Sequence, residues 1–171
     1  MPPSLDVYVL SKRRDRAIIE RFLERWIDRT GSEDRHEEEL MMLPLGTTEA
    51  SEANVAWEWE PALTLTHAIE RGLDRPSRAF VVYLKPRDSL VVDGVTLGFT
   101  ADDCVVFGVS VDDPSGSDDR LALAKELLAA LADEFQGESG YIAIEEPAPL
   151  FAATIPPRDA SRVLFSWARA V

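Results

Sequence analysis

Three apolar segments, "AFVVYLK" (79–85), "GVTLGFT" (94–100) and "CVVFGVSV" (104–111), follow one another at hairpin spacing. Their β-branched and aromatic content suits a pleated, half-buried surface. The joint between the second and third, Ala101, Asp102 and Asp103, has room only for a tight turn. These segments predict an antiparallel meander. "DDCVVFGVSVDD" is apolar at almost every position from Cys104 to Val111, which predicts a central strand covered on both faces.

The remaining elements must be compatible with that meander. "LDVYVL" (5–10) reads as a first strand, after which Ser11 can cap a helix. From Asp15 to Arg29 the rows Ile18, Phe22, Trp26 and Ile19, Leu23, Ile27 merge into one apolar stripe, and Gly31 is expected to end the helix. Its other face mixes Arg16, Glu20, Arg21, Glu24, Arg25 and Asp28, a self-paired and solvated arrangement. Residues 32–54 have no sustained period and carry seven acidic side chains against Arg35, so they read as a long acidic connection with a helical turn around Glu37 to Met42. "VAWEWE" (55–60) alternates and is stopped by Pro61; Trp57 and Trp59 share one face, Glu58 and Glu60 the other, with the tryptophans in the core or at a contact surface. "TLTHAIERGLD" (64–74) predicts a second helix behind a Thr64 cap. Leu121, Ala124, Leu128, Leu131 and Phe135 predict a third, closed by Gly137. "GYIAIEE" (140–146) is a strand, the prolines at 147, 149, 156 and 157 enforce an extended tail, and 161–171 is a strand or a helix. The order predicts a single α+β domain over 1–171, a mixed, mostly antiparallel sheet of about five to six strands covered by two to three helices, with helices one and three on one face.

A chain of 171 residues can bury roughly two-thirds of its unfolded surface without disulfide or metal. The N-terminus has no basic start before its short apolar run, and the longest apolar run, "LALAKELLAALA", is too short for a bilayer and is interrupted by Lys125 and Glu126. With a single cysteine, Cys104, the expected compartment is a reducing cytoplasm. Net charge is −13, and because residues 1–30 hold seven basic side chains against five acidic ones, the remainder carries −15. Such a surface repels nucleic acid and anionic membrane and speeds encounter with a basic protein.

Catalytic signatures are missing. The aspartates of "VSVDDPSGSDDRLALA" (109–124) fail the calcium-loop template from either start: from Asp113, glycine falls at the fourth position and the twelfth is Ala124; from Asp112, Pro114 occupies the third. They fit a strand end, a turn and a helix start, where Ser117 or Asp118 meets free N–H groups. His36 and His67 have no partner at ligand spacing. Cys104 follows two aspartates that oppose thiolate formation. No nucleophile-elbow, P-loop or dinucleotide fingerprint occurs, leaving Ser139 a loop serine, and the carboxylate pairs Glu145/Glu146, Asp102/Asp103 and Glu58/Glu60 are too plentiful to single one out. No cofactor or metal is expected.

"DVYVLSKRRDRAIIERFLERWI", "VFGVSVDD" and "GYIAIEEPAP" together resemble small acidic bacterial cytoplasmic proteins, among them immunity proteins of polymorphic toxin systems. The resemblance implies neutralisation of a cognate toxin by binding, without catalysis. The expected contact residues are Glu37, Glu38, Glu39, Trp57, Glu58, Trp59 and Glu60, meeting a basic protein. The competing expectations are a small enzyme or ligand-binding protein with a pocket near Trp57, Trp59 and His67, or a domain with no assignable role.

Overall fold

The computed structural model describes residues 4–29, 38–88, 91–112, 118–154 and 160–169. In chain order the elements are β1 (Ser4–Ser11), α1 (Arg16–Trp26), β2 (Glu38–Met42), β3 (Glu58–Ala62), α2 (Leu65–Asp74), β4 (Phe80–Leu84), β5 (Gly94–Phe99), β6 (Val105–Asp112), α3 (Asp118–Glu134), β7 (Ser139–Ile144) and β8 (Val163–Ala168). Six strands form one sheet in the order β4-β5-β6-β1-β7-β8, and β2 and β3 form a separate two-stranded sheet. Every named pairing is antiparallel, as expected for an α+β fold built on a meander.

β1 and β6 lie at the centre. Leu5, Val7 and Val9 of β1 and Val105, Phe107, Val109 and Val111 of β6 face the helices, alongside Leu97, Phe99, Phe80 and Ile142. α1 and α3 share this face: the Phe22 ring stands 4.8 Å from Phe107 and 5.3 Å from Phe135, just beyond α3. The alternate residues Tyr8, Leu10, Val106, Tyr141 and Ala143 form a second cluster on the opposite face. Gly108 permits this, since a Cβ there would sit 2.6 Å from the Tyr8 ring.

Several boundaries differ from the sequence reading. Asp15, not Ser11, caps α1: its carboxylate accepts the Ile18 N–H at 3.0 Å, while the Ser11 hydroxyl accepts the Arg13 N–H at 3.1 Å in the turn before the helix. α1 ends at Trp26 because Ile27, still apolar and buried, turns into extended backbone and bridges Pro86. The expected stop at Gly31 lies outside the described residues. Glu37 to Met42 gives a strand from Glu38 onward instead of a helical turn; Leu40 and Met42 point inward and Met41 outward, a period of two that five residues of mixed character hid. Pro61 lies within β3, not beyond it. At the end of α3 the left-handed residue is Gln136, with φ 55°, and the Gly137 N–H closes the turn on the Ala132 carbonyl at 2.8 Å. The C-terminal segment is β8, an edge strand on β7.

Arg14 is the largest departure from a solvated basic cluster, since its side chain is only 4% exposed. The guanidinium donates to the carbonyls of Gly72 and Arg75 at the end of α2, of Pro76 beyond it, and of Thr100 at the β5–β6 turn. It also lies 5.1 Å from the Phe99 ring centroid. One side chain thereby satisfies helix-end carbonyls that would otherwise be orphaned and ties α2 to the meander. Arg14→Ala should cost about 3 kcal/mol and lower the thermal midpoint by roughly 6–12 °C, and Arg14→Lys should recover less than half, because an ammonium cannot span the same carbonyls. Calorimetry of the two variants checks this.

Candidate functional site

The β2–β3 hairpin is hooked to the large sheet by the Leu43 N–H on the Ala79 carbonyl at 2.9 Å. Its register pairs Leu40 with Glu60, Met41 with Trp59 and Met42 with Glu58. The alternation expected of Trp59 against Glu58 and Glu60 is present, but its direction is the reverse of a buried tryptophan. Glu60 pairs with Arg75 and lies 3.8 Å from Arg71; Glu58 pairs with Arg78. α2 and its exit thus present three arginines to the two glutamates, of which Glu60 is the more covered. Trp59 is left 58% exposed beside Met41 at 45%. Leu45 and Leu63 are exposed nearby in sequence, and Glu39 is exposed two residues before Met41. Trp57 is half-buried against Leu43, Ala79 and Phe151.

The second face of the large sheet is covered by the chain that leaves β7. Glu145 adopts φ 49°, turning the backbone, and its N–H bonds the Ser4 carbonyl at 3.1 Å. The Glu146 N–H then donates to Asp6 at 3.0 Å, and its carbonyl accepts the Tyr8 hydroxyl at 2.9 Å. At the far end both carboxylate oxygens of Asp102 accept the Ala152 N–H, at 2.9 and 2.8 Å, and the Leu150 carbonyl accepts the Ala101 N–H at 2.9 Å. Pro147 and Pro149 lack N–H groups, so between these anchors the strap cannot pair as a strand. It bridges instead.

Between strap, β4 and hairpin lies a cleft of about 790 Å³. Trp57 and Tyr83 contribute aromatic surface to it, with Tyr141 behind them in its lining; Glu49, Glu52 and Glu146 contribute acidic residues. Glu49 and Glu52 come from a 3-10 turn over Glu49–Asn54. Burial, reinforced by Glu49, pushes the Glu52 carboxyl above its ordinary value. Burial likewise raises the Tyr141 phenol, whose hydroxyl is buried and has no hydrogen-bond partner.

Of the residues singled out from sequence, Trp57 lines this cleft while Trp59 and His67 do not. His67 is half-buried on α2, and its backbone N–H takes the Thr64 cap at 3.1 Å. Glu37 and His36 fall outside the described residues. So do residues 113–117 of the aspartate-rich stretch; Asp112 does end β6, and Asp118 and Asp119 open α3. Among the described residues no group of three His, Cys, Asp or Glu side chains could hold a metal ion. Cys104 is buried and its thiol is pushed up by burial and by Asp102. Among the described residues, no helix is long and apolar enough to cross a membrane. Sequence reading missed Glu49, Glu52 and Tyr83, since nothing in a 3-10 turn and a meander strand signals that a distant strap brings them together.

No family model and no curated protein matches the chain. Among solved structures it is similar to a chain in the crystal structure of the toxic C-terminal tip of CdiA from Pseudomonas aeruginosa in complex with immune protein, at 13% identity and a TM-score of 0.48, over 97% of this chain and 95% of that one. A superposition this loose fixes neither family nor activity.

Asp6 sits under the strap and is 7% exposed, accepting from Ser110 at 2.7 Å as well as from Glu146. Burial raises its carboxyl above 3.8, against the lowering effect of those two hydrogen bonds. The folded chain therefore holds a proton over an interval where the unfolded chain has released it, so this residue adds stability as pH falls through that interval and loses it as pH rises. Measured against Asp6→Asn by melting between pH 7 and pH 4, the wild type should gain relative stability on acidification.

Proposed function

We propose that the chain is a non-catalytic binding protein of the immunity kind, which engages a basic protein partner, a toxin domain, through the outer face of the β2–β3 hairpin. The observation that carries this reading is the outward Met41–Trp59 pair on a chain of net charge −13. A tryptophan and a thioether side by side in water are a costly arrangement for a monomer and a frequent anchor at protein interfaces, where tryptophan is enriched among the residues that dominate affinity. The surrounding acidity supplies the complement: Glu37, Glu38 and Glu39 precede Met41, and a basic partner would be steered to the patch. Glu58, Glu60 and Trp57 contribute from behind, the two glutamates by fixing the hairpin on the α2 arginines and Trp57 by packing beneath it. The same acidity disfavours nucleic acid and anionic membrane as partners.

Capture on immobilised protein, or co-expression with the product of an adjacent reading frame, tests the reading. The expected partner is basic, and its association weakens steeply as ionic strength rises from about 0.01 M to about 1 M, where the Debye length shrinks from roughly 30 to roughly 3 Å. Trp59→Ala should cost about 2 kcal/mol of affinity, near thirtyfold, while shifting the melting temperature little, because the side chain is largely exposed. An acidic partner, or one indifferent to Trp59→Ala, would overturn it.

A further inference from the structure

The cleft beneath the strap is distinct from the outer face of the hairpin, although Met41 borders both. We propose that it binds an organic cation: a guanidinium or primary ammonium group on a short aliphatic carrier. Its volume, about 790 Å³, is within the range of small-molecule sites, roughly 300–1,000 Å³. Its charge is one-sided. Three glutamates line it, Glu49 and Glu52 from the 3-10 turn and Glu146 from the strap, and no lysine, arginine or histidine does so among the described residues. Glu52 is partly withdrawn from water beside Glu49, an arrangement that a cation would relieve.

Two further features select an organic cation over a metal ion. The aromatic surfaces of Trp57 and Tyr83 border the same space, and a guanidinium or ammonium group is attracted to such faces when desolvated. Tyr141 also lines the cleft, and its buried hydroxyl has no hydrogen-bond partner. A buried hydroxyl left unpaired is costly, and an N–H donor that reached it would offset that cost. The carboxylates, for their part, do not gather into a group that could hold a metal ion among the described residues. A planar cation several ångströms across can reach groups that a metal ion cannot bridge.

The cation could be free or could be the side chain of a polypeptide, and the chemistry is the same for both. Two probes separate them: ethylguanidinium chloride, and a blocked pentapeptide with one central arginine among glycines. Each is titrated into the full chain with ionic strength held constant by sodium chloride, and binding is followed by amide chemical shifts. Saturable shifts confined to the strap, the 3-10 turn and β4 are expected with ethylguanidinium. If the pentapeptide also binds there, a polypeptide side chain is the natural occupant; if it does not, a free small cation is. Glu52→Gln should weaken binding at least tenfold, and Glu126→Gln, on the exposed face of α3, should leave it unchanged, with unliganded melting curves showing that both variants fold. The proposal is overturned if neither probe saturates, if both variants respond alike, or if calcium or magnesium chloride saturates the same resonances in place of the organic probes. Because no protein partner is required, failure here leaves the hairpin reading standing, and the reverse holds.

Discussion

The two hydrogen bonds that Glu146 makes, its N–H to Asp6 and its carbonyl from the Tyr8 hydroxyl, decide how the second face of the large sheet is covered. β1 is central and apolar on both sides, so Leu10, Tyr141 and Val106 need a roof as much as Val7 and Val9 need helices. A third helix on that side would have filled the space. A proline-bearing strap, pinned near Glu146 and again at Asp102, roofs only part of it, with Ala148 pressed into the tyrosine cluster. What is left over is the cleft. Asp6 and Asp102, two carboxylates that could pass for chemistry, are anchors: Asp6 accepts from the Glu146 N–H and the Ser110 hydroxyl, Asp102 from the Ala152 N–H.

Charge is distributed by the same logic of internal use. Arg14 is consumed by the carbonyls at the end of α2, and Arg71, Arg75 and Arg78 are turned toward Glu60 and Glu58. Arg25 reaches Glu134 of α3 and Arg16 reaches Glu70 of α2. Basic side chains are thus drawn toward acidic neighbours and carbonyls, while Glu39, Asp118, Asp119, Glu126 and Asp133 stay exposed.

The meander, β1, both later helices and the placement of α1 with α3 were legible because each depends on local period: two for Val95, Leu97 and Phe99, and near 3.6 for Ile18, Phe22 and Trp26. What failed to show was set by contacts distant in sequence. β2 became a strand through pairing with β3 across a turn of fifteen residues, and its five positions carry too few apolar residues to announce it. The outward face of Trp59 goes with the pairing of Glu58 and Glu60 to three arginines on α2 and its exit, which nothing within "VAWEWE" signals. Arg14 looks from sequence like any member of a basic run. Its burial is fixed by a helix end 58 residues later. The cleft was the least visible of all, being defined by Trp57, Glu52, Tyr83, Tyr141 and Glu146 from five separate stretches.

The hairpin stands apart from the six-stranded sheet as its own small sheet, joined by the Leu43 bond and by the inward Leu40 and Met42. Its outer positions Glu39 and Trp59 lie outside both the phenylalanine cluster and the cleft beneath the strap, whereas Met41 also borders that cleft. The residues that the hairpin leaves exposed are thus largely not the ones that hold the fold together. Substitutions could accumulate at the first set while the second stays as it is.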